Sequence, residues 1–412
     1  SHQYSNIYGH GSADLSAALR PIGSRTVQNG LQQFALPMSI FLLTGIYGDS
    51  LFLEDEQAYY RDQLNGGFKF NMSDLVIQRN IADGIYQRTN SIENLPWSNP
   101  FKEDGINFSV SYVDDLNRNN LSDDHKMYLS FSEDNYTVFS GNKYSIDHVL
   151  NLRNANNAFS ALSRHSGDQS YLSLTEAAAN GQIIGAEFDV SSNLSLAVSA
   201  YTGKHKYYDL NERGFLTNLN YSPDSLTDVS FFVGQNKEDE GLLRSSSGGA
   251  FGNLSGSTIH TGFAIDKQIT DRIHVAGLFD YGVVSGGAQN GFFLTDMGDI
   301  TTSQFNLGLV MPGVFDYSDI LTFNISQPLK IESGRSTLNL PGLRDSDGNY
   351  TYTSKIISLK PSARELNFEV GYEKNLSLNE AFRIGSQFKL SPNHSTTTDN
   401  ESMIYGTYGI SF

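Results

Sequence analysis

The chain has 412 residues, a net charge of −17, no cysteine, and an unusual content of 22 Tyr, 26 Phe and 38 Gly beside a single Trp. The acidic balance argues against nucleic-acid binding, which needs basic patches, and the lack of cysteine excludes disulfides and thiolate metal sites. The longest charge-free apolar stretch, FALPMSIFLLTGIYG at 34–48, contains Pro37 and Gly45 and is shorter than the ~20 residues of a spanning helix.

The first 65 residues do not alternate between apolar and polar positions. Within them, Ser12 to Leu19 is predicted to form a short amphipathic helix that stops before Pro21, because the residue before a proline disfavours helical geometry. Further on, TEAAANG at 175–181 favours a short helix in an outer loop, ending at Gly181.

From about residue 180 onward, apolar residues recur at every second position. QIIGAEFDV, for example, places Ile184, Ala186, Phe188 and Val190 on one face, which is the period of a β-strand with two different environments. Comparable runs follow near 194–202, 215–221, 229–233, 259–265, 273–283, 305–311, 321–329, 366–372, 382–390 and 404–412.

Connections between these runs are sorted by length. Short turns lie near residues 192, 224, 269, 316 and 377, and they alternate with long polar loops such as 235–255, 284–301 and 330–362. Short turns on one side and long loops on the other are typical of outer-membrane barrels. A soluble β-sandwich also alternates, but nothing in it sorts loops by side. The pattern therefore predicts an all-β, up-and-down antiparallel transmembrane barrel.

The strand count rests on eleven runs from 181 to the carboxyl terminus and a twelfth at 126–133, with fourteen if 106–113 and 67–72 also join. The barrel must close, because an open sheet edge in hydrocarbon leaves backbone groups without partners. The last strand, ending in Tyr408, Ile410 and Phe412, is predicted to close it. These three residues also resemble the carboxyl-terminal assembly signal of bacterial outer-membrane proteins, which implies the barrel-assembly machinery as a partner.

Charged residues occupy the opposite parity of two neighbouring strands. One strand carries Glu365, Glu369 and Glu373, and the next carries Arg383 and Lys389. A tight turn would bring both sets to the lumen, where we expect a ladder of opposite charges worth about 0.2–1 kcal/mol per pair. On the lipid face, a cation at mid-depth would cost about 2–4 kcal/mol.

Four segments in order resemble subtilase-type autotransporters. These are GHGSADLSAALRPIG at 9–23, the Gly-Asp-Ser-Leu step at 48–51, ISQPLKIESG at 325–334 and LKPSARELNFEVGY at 359–372. In that family a serine protease passenger precedes a carboxyl-terminal translocator barrel. The Asp, His and Ser motifs of such a protease do not occur in this chain, and we assign it no catalytic, cofactor-binding or metal-ligating residue.

The resemblance implies a division of the chain and a function. Residues 1–29 would end the passenger, 30–104 would thread or plug the pore, and 105–412 would form the barrel in the bacterial outer membrane, surrounded by lipid. The lumen-threading residues would be Phe34, Leu36, Met38, Ile40, Phe41 and Leu42. The barrel would anchor and export an amino-terminal passenger that is covalently attached or cleaved. The alternatives are a porin or solute channel and, less favoured by the residues, a barrel enzyme.

Overall fold

A computed structural model describes most of the chain beyond residue 18. The described residues are 19–29, 32–51, 53–78, 97–98, 101–103, 106–114, 125–143, 146, 149–150, 158–166, 172–205, 210–345, 349–377 and 380–410. The helix predicted at Ser12–Leu19 lies almost entirely outside them.

Residues 19–78 form a small amino-terminal module with two sheets. One sheet has four antiparallel strands in the order β2-β1-β4-β5, and the other joins β3 in parallel to β6. The strands are β1 Thr26–Asn29, β2 Gln32–Ala35, β3 Phe41–Leu43, β4 Gln57–Arg61, β5 Gly67–Asn71 and β6 Val76–Gln78, and 3₁₀ turns cover Leu36–Met38, Gly45–Tyr47 and Met72–Leu75.

Most of the strands that follow are longer, and all of them except β16 form one closed barrel. They are β7 Trp97–Ser98, β8 Phe101–Glu103, β9 Ile106–Asp114, β10 His125–Glu133, β11 Tyr136–Asn142, β12 Gly181–Ser191, β13 Leu194–Lys204, β14 Asn211–Asp224, β15 Thr227–Glu238, β16 Ser246–Ser247, β17 Asn253–Thr270, β18 Ile273–Gln289, β19 Leu294–Pro312, β20 Asp319–Arg344, β21 Tyr350–Ser358, β22 Leu366–Ser377, β23 Glu380–Leu390 and β24 Glu401–Ile410.

Neighbouring barrel strands pair in chain order, and β24 closes the ring beside β7. At two places around the wall, two consecutive strands together occupy the position of one. β7 and β8 both pair with β9, and the lower and upper parts of β20 pair with β22 and β21 respectively. Closure removes the sheet edge that lipid does not tolerate.

Exposure alternates along the strands as the sequence predicts. Outward positions carry apolar side chains such as Ile184 (60% exposed), Val233 (51%) and Ile259 (58%). Inward positions carry buried polar groups such as Asn218 and Asp280. This apolar outer band on a closed barrel is the architecture of bacterial outer-membrane barrels. The predicted fold class and outer-membrane location are thereby confirmed.

The two ends of the barrel differ. At one end two residues separate β12 from β13, β14 from β15 and β17 from β18. The opposite end carries the longer connections, including 143–180, 239–252 and 391–400, and is the external end by the usual orientation of such barrels. We call this end the mouth.

The connection 143–180, here called the lumen segment, turns inward. Its helix α1 (Ala158–Ser166) contacts β17, β18, β19, β20 and β22, and a second turn of 3₁₀ type spans Ser173–Asn180. TEAAANG therefore lies in a short 3₁₀ helix capped by Gly181, as expected, but this helix is buried against the wall and does not lie in an outer loop. Within the described residues, no helix has the length and apolar character to cross a membrane.

Several segments differ from the sequence-based expectation. The polar stretches 284–301 and 330–362 are mostly strand, because β18, β19 and β20 continue beyond the apolar band and surround the amino-terminal module. Residues 67–72 lie in the module's sheet instead of the barrel. The strand at 106–114 joins the wall as the larger count allowed, and the strands at 97–98, 101–103 and 136–142 add further positions, so the described strands exceed twelve.

Candidate functional site: the closed interior of the barrel

The amino-terminal module is held in the mouth by a buried polar contact with the turn at 242–245. The Thr44 amide donates to Ser245 Oγ at 3.1 Å and Thr44 Oγ1 donates to the Leu243 carbonyl at 3.1 Å. The Tyr47 hydroxyl donates to the Leu242 carbonyl at 3.2 Å. Burial raises the pKa of Tyr47, so the hydroxyl keeps its proton and remains a donor.

An apolar core joins the module to the same loops. Phe41 is fully buried and meets the Phe251 ring edge-on at 5.5 Å, and Phe251 in turn packs on Phe293 at 5.0 Å. Phe34 contacts Phe292 at 5.6 Å. Since aromatic side chains bury large areas and their edge-to-face pairs add to that stabilisation, this cluster fixes the module against the mouth.

Asp49 attaches the module to the opposite rim. Its carboxylate accepts hydrogen bonds from the Ser362 amide at 2.8 Å, from the Ser362 hydroxyl, and from Ser395 Oγ at 3.2 Å. Partial burial alone would raise the pKa of Asp49, but these hydrogen bonds outweigh it and lower that pKa. The neighbouring Gly48 has φ +54°, and a Cβ there would lie 2.6 Å from Pro361 Cβ, so the backbone itself fits closely.

Below the module, the lumen segment is bound to the wall near the short-turn end. The Ala158 amide, at the start of α1, donates to Asp266 Oδ2 at 2.6 Å. A carboxylate at a helix amino terminus satisfies a backbone donor and complements the helix dipole. Phe159 and Leu162 are fully buried, and Leu162 fills the space beside Gly308.

Two polar wall residues bind the descending part of the lumen segment. Asn218 Nδ2 donates to the Val149 carbonyl at 3.4 Å, and Ser230 Oγ donates to the Leu150 carbonyl at 3.3 Å. Val149 and Leu150 are themselves buried. The described parts of the lumen segment are thus packed against the wall and hydrogen-bonded to it.

Higher in the barrel, the ascending part of the lumen segment is bound by a buried polar cluster. The Leu174 carbonyl accepts from the Tyr201 hydroxyl at 3.3 Å and from Asn236 Nδ2 at 3.1 Å. Arg244 donates to the Ser173 carbonyl and pairs with Glu176 at 2.7 Å. Burial alone would raise the pKa of Glu176, but the Arg244 cation lowers it, so the pair is ionic.

Beside this cluster, His205 and Glu212 form a buried pair with 2.9 Å between Nε2 and Oε2. Burial, and then the nearby Arg244 cation, lower the pKa of His205 to about 3, so the imidazole is neutral and donates to the carboxylate. Glu212 is the nearer acceptor of the Tyr201 hydroxyl proton, at 2.8 Å, and the 3.3 Å contact of that hydroxyl with the Leu174 carbonyl shares the same proton. This network fixes Tyr201 for its bond to Leu174.

Polar atoms of the wall remain without a protein partner around the lumen segment. Among the described residues they include Asn218 Oδ1, Asn220 Nδ2, His260 Nε2, Thr302 Oγ1 and Asn324 Oδ1. Buried polar groups of this kind are satisfied by ordered water. The arrangement therefore consists of a polar, water-accommodating wall that the chain's own segments occlude.

The six residues predicted to thread the lumen lie in the mouth. Phe41 and Leu42 pair with β16 of an outer loop, Leu36 is buried beside them, and Met38 is 70% exposed. Phe34 and Ile40 are partly buried. Because β8 meets β9 at the short-turn end, Trp97 starts the barrel at the mouth. The described lumen is instead occupied by the lumen segment.

The residues of the predicted charge ladder face inward, but they do not form a continuous series of ion pairs. Arg383 lies directly opposite Glu373, with Nε 2.9 Å from Oε2. Glu369 accepts from Gln387 at 2.8 Å and from Asn324 at 3.3 Å. Glu365 accepts a hydrogen bond from the Asn393 backbone amide at 2.6 Å and interacts electrostatically with Lys389.

Of the predicted carboxyl-terminal signal, Tyr408 is 52% exposed on the outer face opposite Phe382. Ile410 ends β24, opposite Glu380. Phe412 lies outside the described residues.

Sequence reasoning missed the lumen segment. Its signal was an apolar set (Ile146, Val149, Leu150, Phe159 and Leu162) in a stretch to which the sequence analysis assigned no structure. All five side chains are buried. An exposed loop has no need of such a set, whereas a segment packed inside a barrel does.

Comparisons with known proteins give structural neighbours only. The search with protein-family models and the search of curated proteins both found no match. Among solved structures, the chain resembles a loop L8 deletion mutant of OmpT, an outer membrane protein of Vibrio cholerae, at 10% identity and a TM-score of 0.44, over 76% of this chain and 88% of that one. It also resembles a bacterial polysaccharide outer membrane secretin at 7% identity and a TM-score of 0.34, over 76% and 86%.

Proposed function

We propose that this protein is an outer-membrane translocator that exports the polypeptide preceding its amino-terminal module and holds it at the external surface. The observation that carries the proposal is the docking of residues 19–78 in the mouth by Thr44, Tyr47 and Asp49. A domain attached by buried hydrogen bonds and an aromatic core is a firm anchor for whatever precedes it.

The start of the described module supports this role. Leu19 is 73% exposed and Ile22 is 50% exposed, so the described module begins on the solvent side of the mouth. The passenger expected from the resemblance described above is a subtilisin-like serine protease, which the module would present outside the cell.

The lumen segment fits the state after export. A translocator must admit a polypeptide and afterwards restore the permeability barrier. The bonds from Asp266, Asn218, Ser230 and Tyr201 to the lumen segment form such a barrier from the chain itself. Export would require this segment to leave the lumen or to fold into it last.

The test uses a small soluble reporter fused ahead of Ser1 in cells with a Gram-negative envelope. We expect the reporter to reach the surface, where it is cleaved by protease added to intact cells. The matched control joins the same reporter to a chain in which Tyr47→Phe and Asp49→Asn weaken the docking. A reporter that stays in the periplasm with the intact barrel assembled would overturn the translocator function.

The second candidate is a solute channel, and the unpaired polar atoms of the wall favour it. Asn218 Oδ1, Asn220 Nδ2 and His260 Nε2 would line a water-filled path if the lumen segment moved aside. Planar-bilayer recordings of the intact protein discriminate the two functions. Steady open-pore conductance without surface display of the reporter favours the channel, whereas a closed barrel that displays the reporter favours the translocator.

A further inference from the structure

At the mouth end of three neighbouring strands, the charged residues on the wall differ in sign between its inner and outer faces. At the upper ends of β13, β14 and β15, the buried inward positions are His205, Glu212 and Glu238. The adjacent outward positions are Lys204, Arg213 and Lys237. Acidic or neutral groups thus face the lumen, whereas cations face outward, in a chain whose net charge is −17.

The outward cations lie beside one another on three neighbouring strands. Arg213 is directly opposite Lys237 in the β14–β15 register. Lys204 is opposite Asn211, two residues from Arg213 on the same face. The Arg213 and Lys237 side chains are 59% and 53% exposed, so they are accessible from outside the barrel.

The cations sit directly above the apolar band. One step below them on the same face are Phe215, 45% exposed, and Ile259, 58% exposed. From Phe215 to the turn after Asp224 there are about nine residue steps, which at ~3.3 Å each and a tilt of ~40° rise roughly 23 Å. That height matches the ~25 Å band of such barrels, so the cations stand at the level of the external headgroups.

Asp239 is the acidic residue nearest to this row. Its Oδ1 lies 3.2 Å from Arg213 Nη2 and 3.8 Å from Lys237 Nζ. A single carboxylate shared by two cations leaves positive charge in excess. Guanidinium and ammonium groups that are exposed beside apolar surface are suited to bind phosphate oxygens.

We propose that Arg213 and Lys237, with Lys204 beside them, bind the phosphate groups of an outer-leaflet lipid whose acyl chains lie against Phe215, Val233 and Ile259. The ligand class is a phosphorylated glycolipid such as lipid A. This binding site depends on the barrel alone and holds whether the protein exports a passenger or conducts solutes.

The test is native mass spectrometry of the detergent-purified protein titrated with diphosphoryl lipid A. We expect the Arg213→Gln/Lys237→Gln variant to bind roughly thirtyfold more weakly, since each cation near a charged membrane surface contributes a similar increment. The matched control is Arg335→Gln, another exposed arginine paired with an aspartate at 2.8 Å, and it should bind like the wild type.

Two further measurements distinguish a loss of lipid binding from misfolding of the barrel. Asp239→Asn removes the competing carboxylate and should bind lipid A more tightly, which a damaged barrel would not do. Lipid A without phosphates should bind weakly to every variant. Unchanged binding in the double variant or equal binding of the dephosphorylated lipid would each overturn the site.

Discussion

Arg244 and Glu176 form an ion pair of 2.7 Å at the point where three parts of the molecule meet. The same turn that carries Arg244 accepts hydrogen bonds from Thr44 and Tyr47 of the amino-terminal module. The Arg244 amide donates to Glu238 of the wall at 2.8 Å. The module, the wall and the lumen segment are therefore connected through one turn, so a change at the module can reach the lumen.

Replacing Arg244 should loosen the lumen segment. In Arg244→Gln, Glu176 loses its cation and the Ser173 carbonyl loses a charged donor, a change worth about 1–3 kcal/mol at a partly buried site. We expect current steps of the open lumen to appear more often in planar bilayers. The measurement is the open probability of the variant against that of the wild type.

Two companions make the Arg244 result specific. The exposed pair of Arg335 and Asp299 provides a control, because Arg335→Gln removes a surface arginine without touching the lumen segment. The swap Arg244→Glu/Glu176→Arg should return the open probability towards the wild-type value. If Arg244→Gln is as closed as the wild type, the ion pair does not hold the segment.

Substituting Gly48 should release the amino-terminal module. Its φ of +54° with ψ −130° is a region that side chains avoid, and an added Cβ would lie 2.8 Å from the Asn393 carbonyl oxygen. We expect Gly48→Ala to weaken docking by about 1–3 kcal/mol, measured as faster protease cleavage within residues 19–78. Gly298→Ala is the control, because nothing lies within 4 Å of its Cβ. Equal cleavage of the two variants would contradict the close fit.

The charge ladder predicts a specific rescue. Arg383 faces Glu373 across β22 and β23, whereas Glu369 faces Gln387. Arg383→Glu should therefore lower thermal stability in detergent by about 0.2–1 kcal/mol, and adding Glu373→Arg should restore it. Adding Glu369→Arg instead is the control and should restore less. Equal rescue by both would mean that the lumen charges act only through their sum.

The strands were predictable because their signal is local. Apolar residues at every second position, as in Ile184, Ala186 and Phe188, report two environments without reference to the rest of the chain. The same rule did not find the upper parts of β19 and β20. There the outer face meets water instead of lipid, so outward positions are no longer apolar. Buried residues such as Leu338 and Ile331 face the module. The regular change between apolar outward and polar inward positions is therefore absent.

The segment that occludes the interior was not predictable, because its position depends on contacts distant in sequence. Thr44 bonds to Ser245, 201 residues away, and Ala158 bonds to Asp266, 108 residues away. A single sequence contains no record of such pairs. The sequence also left open which glutamate faces Arg383, because a register shift at Asn375/Ser377 decides it.

Acid is expected to destabilise the packing at the mouth because His394 becomes protonated. Its Nδ1 accepts from the Glu365 amide at 2.8 Å and its Nε2 donates to the Leu329 carbonyl at 3.1 Å, so the ring is neutral. Burial lowers the pKa of His394 to about 4, and the charged groups facing it are Lys330, Glu332 and Arg364, with Glu365 beside it.

Because the unfolded imidazole has a pKa of about 6.5, the unfolded chain binds more protons between pH 6.5 and 4, and stability falls as pH falls through that window. Asp49, whose pKa is lowered, keeps its stabilising charge until the pH falls below the pKa of an ordinary aspartate. We expect the thermal midpoint in detergent to drop from pH 7 to pH 4.5 by more in the wild type than in His394→Gln, whose amide accepts and donates without titrating. A fall of the same size in both proteins would assign the acid sensitivity to groups other than His394.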